Sequence, residues 1–146
     1  MLVAITDNFL RLKGILERNI ADTNVGDRTS SEYLIANLTL HQSQAAVGVW
    51  VDNADDPHVL LVLSVGRFGT LNETYCFVNS MFVDTEHRSP RVTKELLATI
   101  TLYAQAKQCD AVYGSSWTYR GATDVSAVWA AYGAEPQETL FVKHLK

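Results

Sequence analysis

The sequence predicts an α/β (α+β) protein with a mixed, mostly antiparallel sheet flanked by helices. Three observations predict it. Three β-rich segments follow one another with short turns, a strongly amphipathic helix comes next, and a short apolar strand follows that helix. No repeat or Pro/Gly/Ser-rich linker divides the 146 residues, which suffice for one substantial core. We therefore expect a single domain over residues 1–146.

The first part of the chain predicts a short strand and two helices. The segment "MLVAIT" is apolar enough for a short strand, and apolar residues recur at helical spacing in residues 7–20. Residues 31–42, "SEYLIANLTLHQ", predict a second helix after a polar connection. The residues that can cap these two helices are Asp7 or Asn8, and Ser30 or Ser31.

The middle of the chain predicts an antiparallel meander. Residues 45–52, 59–68 and 74–84 are rich in β-branched and aromatic side chains. The short connections "DNADDPH" and "GTLNE" separate them, as tight turns between antiparallel strands would.

The second half predicts a strand–helix–strand unit and a closing helix and strand. After the turn at residues 84–89, apolar residues occupy one face of a helix that ends near "QCD", and residues 111–117 predict a strand. A helix between two strands favours a parallel pair. Residues 125–133 predict a last helix that stops at Gly133, and residues 138–146 a last strand.

Composition excludes several classes of function. The chain has 12 Lys and Arg against 16 Asp and Glu, so we expect no nucleic-acid binding, which requires a basic face. No apolar run approaches the roughly 20 residues of a membrane span, and the start of the chain has no signal-peptide pattern, so we expect no membrane association. Cys76 and Cys109 form no CxxC pair, which favours buried free thiols and a cytoplasmic location.

The stretch "VDTEHRSPRVTKELL" resembles the signature turn of the GNAT superfamily, the acyl-CoA-dependent N-acyltransferases. The family pattern is V-x-P-x-[YF]-[QR]-x-x-G-x-[GA], placed between the third strand of a meander and a long helix. Without a gap, Val83 falls on the valine, His87 on the aromatic position and Arg88 on the Gln/Arg position. The later segment "SAVWAAYGAEPQETLFVKHL" is similar to the family's fourth helix, its Gly-aromatic pair and its closing strand, so the resemblance covers residues 45–146 best.

The resemblance implies that the protein transfers an acetyl group from acetyl-CoA to an amine on a small molecule or a protein. The backbone of Met81, Phe82 and Val83 would then bind the pantetheine arm and polarise the acetyl carbonyl. The pyrophosphate would lie at the turn and helix N-terminus, where N–H groups and a positive dipole end favour anions. The turn residues implied as its ligands are Arg88, Arg91, Thr93 and Lys94.

The turn departs from the family pattern where the backbone should approach the phosphates. Arg91 and Thr93 stand at the two glycine positions, and Pro90 has no N–H to donate. Two interpretations follow. Arg88, Arg91 and Lys94 replace backbone donors with charged ones, or they form a solvated basic loop that binds no cofactor.

The catalytic acid and base also depart from the family. Trp129 stands where many members have a tyrosine that protonates the leaving thiolate. Tyr119 is a candidate substitute, and so are Ser115 and Ser116, although a tyrosine at a strand end is more often a packing residue. The candidates for the general base are Glu73 and Asp84, neither of them specified by a motif.

Two functions are therefore compatible with the sequence. The first is a divergent N-acetyltransferase. The second is a catalytically inactive protein of the same fold that serves as a structural or interaction component, since the chain is also similar to acetyltransferase-like proteins of tailed bacteriophages. In that case it would have a protein partner or form a homo-oligomer, in the host cytoplasm or the virion. An enzyme requires an open gap between residues 74–84 and 111–117, whereas Arg91, Trp117 or Trp129 would fill it in a structural protein.

Overall fold

A computed structural model describes residues 1–23, 25–26, 28–44, 46–67, 72–115, 125–136, 143 and 145. A 3-10 turn at Phe9–Leu12 precedes the first helix, and a second at Thr85–His87 precedes the third. In chain order, the strands and helices are β1 (Val3–Ala4), α1 (Lys13–Thr23), α2 (Ser31–Ser43), β2 (Val47–Val51), β3 (Val59–Arg67), β4 (Thr74–Val83), α3 (Pro90–Ala106), β5 (Ala111–Tyr113) and α4 (Ser126–Ala131).

The strands of the described residues form one five-stranded sheet in the order β1-β2-β3-β4-β5. Neighbours from β1 to β4 are antiparallel, and β5 is parallel to β4. Since α3 connects β4 to β5, both the predicted meander and the predicted parallel pair are confirmed. The mixed, mostly antiparallel sheet with flanking helices is the fold class that the sequence predicts.

The sheet separates two apolar cores, and β3 contributes to both. All five residues from Val59 to Leu63 are buried, because alternate side chains point to opposite faces of the sheet. Leu60 and Val62 pack with the first core, towards α1. Val59, Leu61 and Leu63 pack with the second core, which contains Leu96, Ile100 and Ala104 of α3. A central strand that is apolar on both faces therefore holds the two layers of helices together.

Of the residues predicted to mark the ends of helices, Ser30 and Gly133 are confirmed and Asn8 is wrong. The Ser30 side chain accepts a hydrogen bond from the Tyr33 N–H at the start of α2, and Gly133 has φ +87° just after α4. Asn8, however, is left-handed and makes no capping bond. The chain therefore enters α1 through the 3-10 turn, and the predicted helix 7–20 becomes a turn followed by a helix that extends to Thr23. None of the described helices is long and apolar enough to cross a membrane.

The remaining differences concern the ends of the sheet and the thiols. The predicted first strand shortens to two residues, and the predicted strand 111–117 to Ala111–Tyr113, with residues 116 and 117 outside the described part of the chain. Most of the predicted last strand, 138–146, also lies outside the described residues. Cys76 is a buried free thiol and Cys109 a partly buried one. Burial, reinforced by the charge of Cys109, raises the pKa of Cys76 to about 11, so Cys76 is an inert core residue at neutral pH.

Two α3 residues test how the second core contributes to stability. Ile100 is fully buried, whereas Leu102 is 67% exposed on the opposite side of the same helix. We expect Ile100→Ala to lower the free energy of unfolding by about 2–5 kcal/mol, because it leaves a cavity. The matched control Leu102→Ala should change it by no more than about 0.5 kcal/mol. Urea denaturation measures both, and equal losses would contradict the assignment of α3 to this core.

Candidate functional site

A β-bulge interrupts β4 at Asn79. Val62 pairs with Ser80 and Leu63 with Val78, which leaves Asn79 as an extra residue on β4. Ser64 of β3 donates a hydrogen bond to Asn79 Oδ1 at 2.7 Å. Asn19 of α1 donates one to Ser80 Oγ at 3.0 Å. The bulge thus presents two consecutive polar side chains, each held by a neighbouring element.

Beyond this region β4 leaves its parallel neighbour. The two strands pair from Tyr75↔Ala111 to Phe77↔Tyr113 only, and the pairing ends two residues before the bulge. A groove of about 740 Å³ opens along the C-terminal half of β4, with α1 and α2 on one side and α3 and α4 on the other. A smaller cavity of about 320 Å³ lies apart from it, between the end of α3 and the end of α4. The larger groove is the candidate site because it contains the bulge.

The outer edge of β4 beyond Phe77 carries backbone groups that no strand among the described residues satisfies. The Asp84 N–H donates to the His58 carbonyl at 2.9 Å, so position 84 faces β3. In an antiparallel ladder, alternate residues direct both backbone groups to the same neighbour. Phe82 and Ser80 therefore also face β3, while Met81 and Val83 direct their N–H and C=O groups towards the groove. This is the edge where an extended ligand with amide groups can pair.

The turn after β4 closes the groove at one end. Arg88 Nε donates to the Val83 carbonyl at 2.9 Å, and its guanidinium lies 3.7 Å from Asp22 of α1. These contacts hold one positive charge at the point where β4 ends and α3 begins. The guanidinium retains further N–H donors, which suit a phosphate.

The N-terminus of α3 is largely satisfied from within. The side chain of Ser89 accepts from the Val92 N–H, and its carbonyl accepts from the Thr93 N–H. Pro90 has no N–H, so among the first four helical residues only Arg91 retains an open backbone donor. A phosphate at this helix must use that donor and side chains, or displace the side chain of Ser89.

Most residues predicted to bind the cofactor lie in the groove. Met81, Phe82, Val83, Arg88 and Thr93 line it. Phe82 contributes little to the groove, since its backbone pairs with β3 and its side chain is only 7% exposed and packs in the first core.

Arg91 and Lys94 lie outside the groove wall. Both are exposed at the start of α3, and neither lines the groove. Neither side chain therefore fills the gap. The described residues leave the groove open, with Trp129 forming part of its wall.

Of the predicted catalytic side chains, the structure describes both candidate bases, Glu73 and Asp84, and neither lines the groove. Glu73 lies just before β4, at the end remote from the bulge, and accepts a hydrogen bond from the Tyr113 hydroxyl at 2.6 Å. It is absent from the groove wall. Tyr119, together with Ser116 and Trp117, lies outside the described residues.

The tryptophan at the position of the family's tyrosine faces the groove. Trp129 Nε1–H donates to the Ser115 carbonyl at 3.1 Å, and the ring lies against Gly114, where a Cβ would come within 2.4 Å of it. The adjacent Tyr132 hydroxyl is engaged by Thr101 of α3. The Trp129 N–H and the Tyr132 hydroxyl are thus both engaged within the protein.

A charged cluster braces the turn from the outside. Asp84 accepts two hydrogen bonds from Arg18 Nε at 2.9 and 3.1 Å, and one contact of 2.9 Å joins it to His58 Nδ1. His58 Nε2 lies 3.1 Å from Asp56, and its ring stacks on His87 with centroids 4.0 Å apart. Hydrogen bonds with Asp84 and then Asp56 raise the pKa of His58. Partial burial raises the pKa of Asp84, but the hydrogen bonds from Arg18 and His58 outweigh it, so the pKa is lowered.

The sequence did not locate two features of the groove, although the resemblance to the GNAT superfamily implies a strand bulge. The bulge at Asn79 has no glycine or proline to signal it. His41 of α2 lines the groove, although no motif in the sequence connects it to a partner. Among the described residues, no group of three or more His, Cys, Asp or Glu side chains could hold a metal ion.

Comparison with known proteins identifies the fold. No protein-family model and no curated protein sequence matches the chain. Solved structures do match over nearly the whole chain. A predicted acetyltransferase from Clostridium acetobutylicum, solved with acetyl-CoA, has a TM-score of 0.79 at 10% identity, and the match covers 99% of this chain and 97% of that one.

Two further structures agree with this match. A GCN5-related N-acetyltransferase from Ralstonia eutropha has a TM-score of 0.77 at 11% identity, with 100% and 99% of the two chains covered. An aminoglycoside N-acetyltransferase in complex with CoA has a TM-score of 0.74 at 14% identity, with 99% and 93% covered. The chain therefore has the fold of the GCN5-related N-acetyltransferases, the GNAT superfamily, as the resemblance of the turn predicts.

The cluster around Asp84 makes stability depend on pH. Because the pKa of His58 is raised, this residue stabilises the folded protein fully below its unfolded pKa of about 6.5, and the stabilisation is lost as the pH rises through the folded pKa. Asp84 acts in the opposite sense, losing its contribution as the pH falls through its lowered pKa. We expect His58→Gln to destabilise most at mildly acidic pH, below about 6.5, where Asp84 is ionised and His58 protonated.

Thermal denaturation between pH 4.5 and 8.5 measures this dependence. In an Asp84→Asn background the pH-dependent part of the His58→Gln effect should largely disappear, because the main partner has lost its charge. An effect of His58→Gln that grows with rising pH would contradict the assignment.

Proposed function

We propose that the protein is a divergent N-acetyltransferase that transfers an acetyl group from acetyl-CoA to an amine on a small molecule or a protein. The observation that supports it most is the free edge of β4, which faces an open groove and leads from the bulge to the Arg88 turn. A protein that had kept only the fold would have no need of this gap.

The groove offers complementary groups to each part of acetyl-CoA. The backbone of Met81 and the N–H of Val83 can pair with the amides of the pantetheine arm, as a further strand would. The acetyl carbonyl would lie near the bulge, where an N–H can polarise it. Arg88 and the Arg91 N–H would hold the pyrophosphate, with Lys94 near enough in sequence to add charge from outside the groove.

Catalysis in this groove would rest on proximity and backbone polarisation. Holding the amine against the acetyl carbon in a fixed geometry removes much of the entropic barrier. Since Trp129 occupies the tyrosine position, the thiolate would leave without a dedicated acid from α4. Tyr119 and Glu73 stay candidate catalytic residues, although Glu73 is occupied by Tyr113.

The inactive alternative is favoured by the N-terminus of α3. Ser89 uses its side chain and carbonyl to satisfy two of the helix's N–H groups, Pro90 lacks a third, and neither family glycine is present. In this alternative the protein would be a structural or interaction component, as in a phage particle. Calorimetric titration with acetyl-CoA distinguishes the two functions.

We expect acetyl-CoA to bind saturably in calorimetric titration, more weakly at higher salt because the phosphate contacts are screened. Arg88→Ala should weaken binding about tenfold or more, since a charged hydrogen bond to phosphate contributes about 1.5–3 kcal/mol. Arg88→Lys should weaken it less.

Arg67→Ala is the matched control for the loss of an arginine. Arg67 ends β3 away from the groove and contacts Asn72, so its removal should leave binding unchanged. Absence of binding to the unaltered protein at millimolar acetyl-CoA would refute the proposed enzyme and favour the inactive alternative.

Arg91 tests whether the turn uses its backbone or its side chains. If its N–H binds the pyrophosphate, Arg91→Gly should weaken acetyl-CoA binding less than Arg91→Ala, because glycine lets the backbone come closer. Calorimetry at two salt concentrations compares the variants. Tighter binding by Arg91→Gly than by the unaltered protein would show that the Arg91 side chain obstructs the site.

A further inference from the structure

The groove has a polar corner at the bulge, on the side of α1 and α2. Asn79 Oδ1 accepts from Ser64, which leaves both protons of its amide nitrogen for a ligand. Ser80 Oγ accepts from Asn19, which leaves its own proton and one lone pair. Among the described residues, both side chains are therefore held at one atom and open at another, close to the point where the pairing of β4 with β5 ends.

His41 lines the same groove, and its backbone connects to β3 close to Ser64. Its carbonyl accepts the Ala46 N–H, and the Ala46 carbonyl accepts the N–H of Val65, the residue after Ser64. The His41 side chain lines the groove and makes no hydrogen bond to a described residue. Imidazole is the side chain best able to take up a proton near neutral pH. A base thus lines the same groove as the two positioned polar groups.

The rest of this half of the groove is mostly apolar, with Thr23, Thr29 and Asn37 among its polar side chains. The apolar side chains in its wall include Leu16, Ile20, Leu34, Leu38 and Val62. Among the described residues that line the groove, Asp22 carries the one carboxylate, and Arg88 lies 3.7 Å from it. A polycationic acceptor would find little countercharge here, whereas an apolar body would be removed from water.

From this arrangement we infer the acceptor of the proposed transfer: a primary amine carried on an apolar body. Asn79 and Ser80 position the amine nitrogen, and His41 is the general base. The inference rests on the proposed function, because the amine has no reaction partner unless acetyl-CoA occupies the other half of the groove.

The atoms balance without a further reagent. The amine lone pair attacks the acetyl carbonyl carbon, and a C–N bond forms. The C–S bond then breaks, and the thiolate of CoA leaves with its electron pair and takes a proton from water. The nitrogen gives up its extra proton to His41, directly or through one water, and His41 returns it to solvent.

The experiment uses the full chain, acetyl-CoA and 2-phenylethylamine, with kanamycin as a polycationic comparison. Acetyl-CoA binding is measured by calorimetry and acetyl transfer by mass spectrometry of the product. We expect 2-phenylethylamine to be acetylated with a kcat/KM at least tenfold above that for kanamycin.

The His41→Ala variant should bind acetyl-CoA as before and lose about 100-fold or more in kcat/KM for 2-phenylethylamine. The decrease in rate at acidic pH should disappear in this variant, and added imidazole should restore part of the lost rate. A purely structural role of His41 would produce neither result. Asn79→Ala and Ser80→Ala should raise KM for the amine about five- to tenfold. Leu40→Gln, one residue away on the exposed side of α2, is the matched control and should have no effect.

The outcomes separate the two proposals. Acetyl-CoA binding without acetylation of 2-phenylethylamine, or with unchanged rates and pH dependence in His41→Ala, overturns the acceptor site and leaves the cofactor proposal standing. Absence of acetyl-CoA binding overturns both. Transfer to 2-phenylethylamine that depends on His41 and responds to imidazole supports both.

Discussion

The architecture of the candidate site depends on one extra residue in β4. Antiparallel pairing with β3 fixes the register on both sides of Asn79, so the bulge must be absorbed by β4 itself. The strand bends there, and its parallel pairing with β5 ends after Phe77. A sheet that would otherwise be continuous thereby acquires an unpaired inner edge. That edge, and not any single side chain, is what makes a ligand groove possible in this fold.

The two cores hold this opening in shape. β3 is buried on both faces, so the strand that supports β4 cannot move without disturbing α1 on one side and α3 on the other. At the far end of β4, Arg18 ties Asp84 to α1, and Arg88 ties the turn back to Val83. The groove is thus built largely on well-packed elements. Such support is what a site for group transfer requires.

Periodicity predicts the elements of this chain well, because most of them are decided by local patterns. The central strand reads as an uninterrupted apolar run, and α3 has its apolar residues on one face, so both are found within a residue or two of their ends. The gapless match of the turn from Val83 to Thr93 leads to the fold. Asn8 is the exception, because a residue that favours helix caps also favours the left-handed conformation.

The groove is less predictable, for a physical reason. Whether Asn79 is a bulge or an ordinary strand residue is decided by its partner strand, and nothing in "FVNSMF" distinguishes the two. His41 reaches the groove only because α2 packs against the first core. Asn79, which lines the same groove, follows His41 by thirty-eight residues in the chain. Arg91 shows the converse: its place in the motif suggests a ligand, while helix geometry leaves its side chain outside the wall.

The capping of α3 by Ser89 has a consequence for how the protein would evolve. The hydroxyl that stabilises the free helix occupies a donor that an incoming phosphate would otherwise use. The Ser89 hydroxyl therefore competes with a phosphate for the same N–H group, and because it belongs to the chain its local concentration is always high. Changes that strengthen this cap would favour the empty fold, and changes that weaken it would favour the liganded one. Substitutions at this one serine would therefore shift the balance between a stable fold without ligand and a functioning transferase, with the groove itself unaltered.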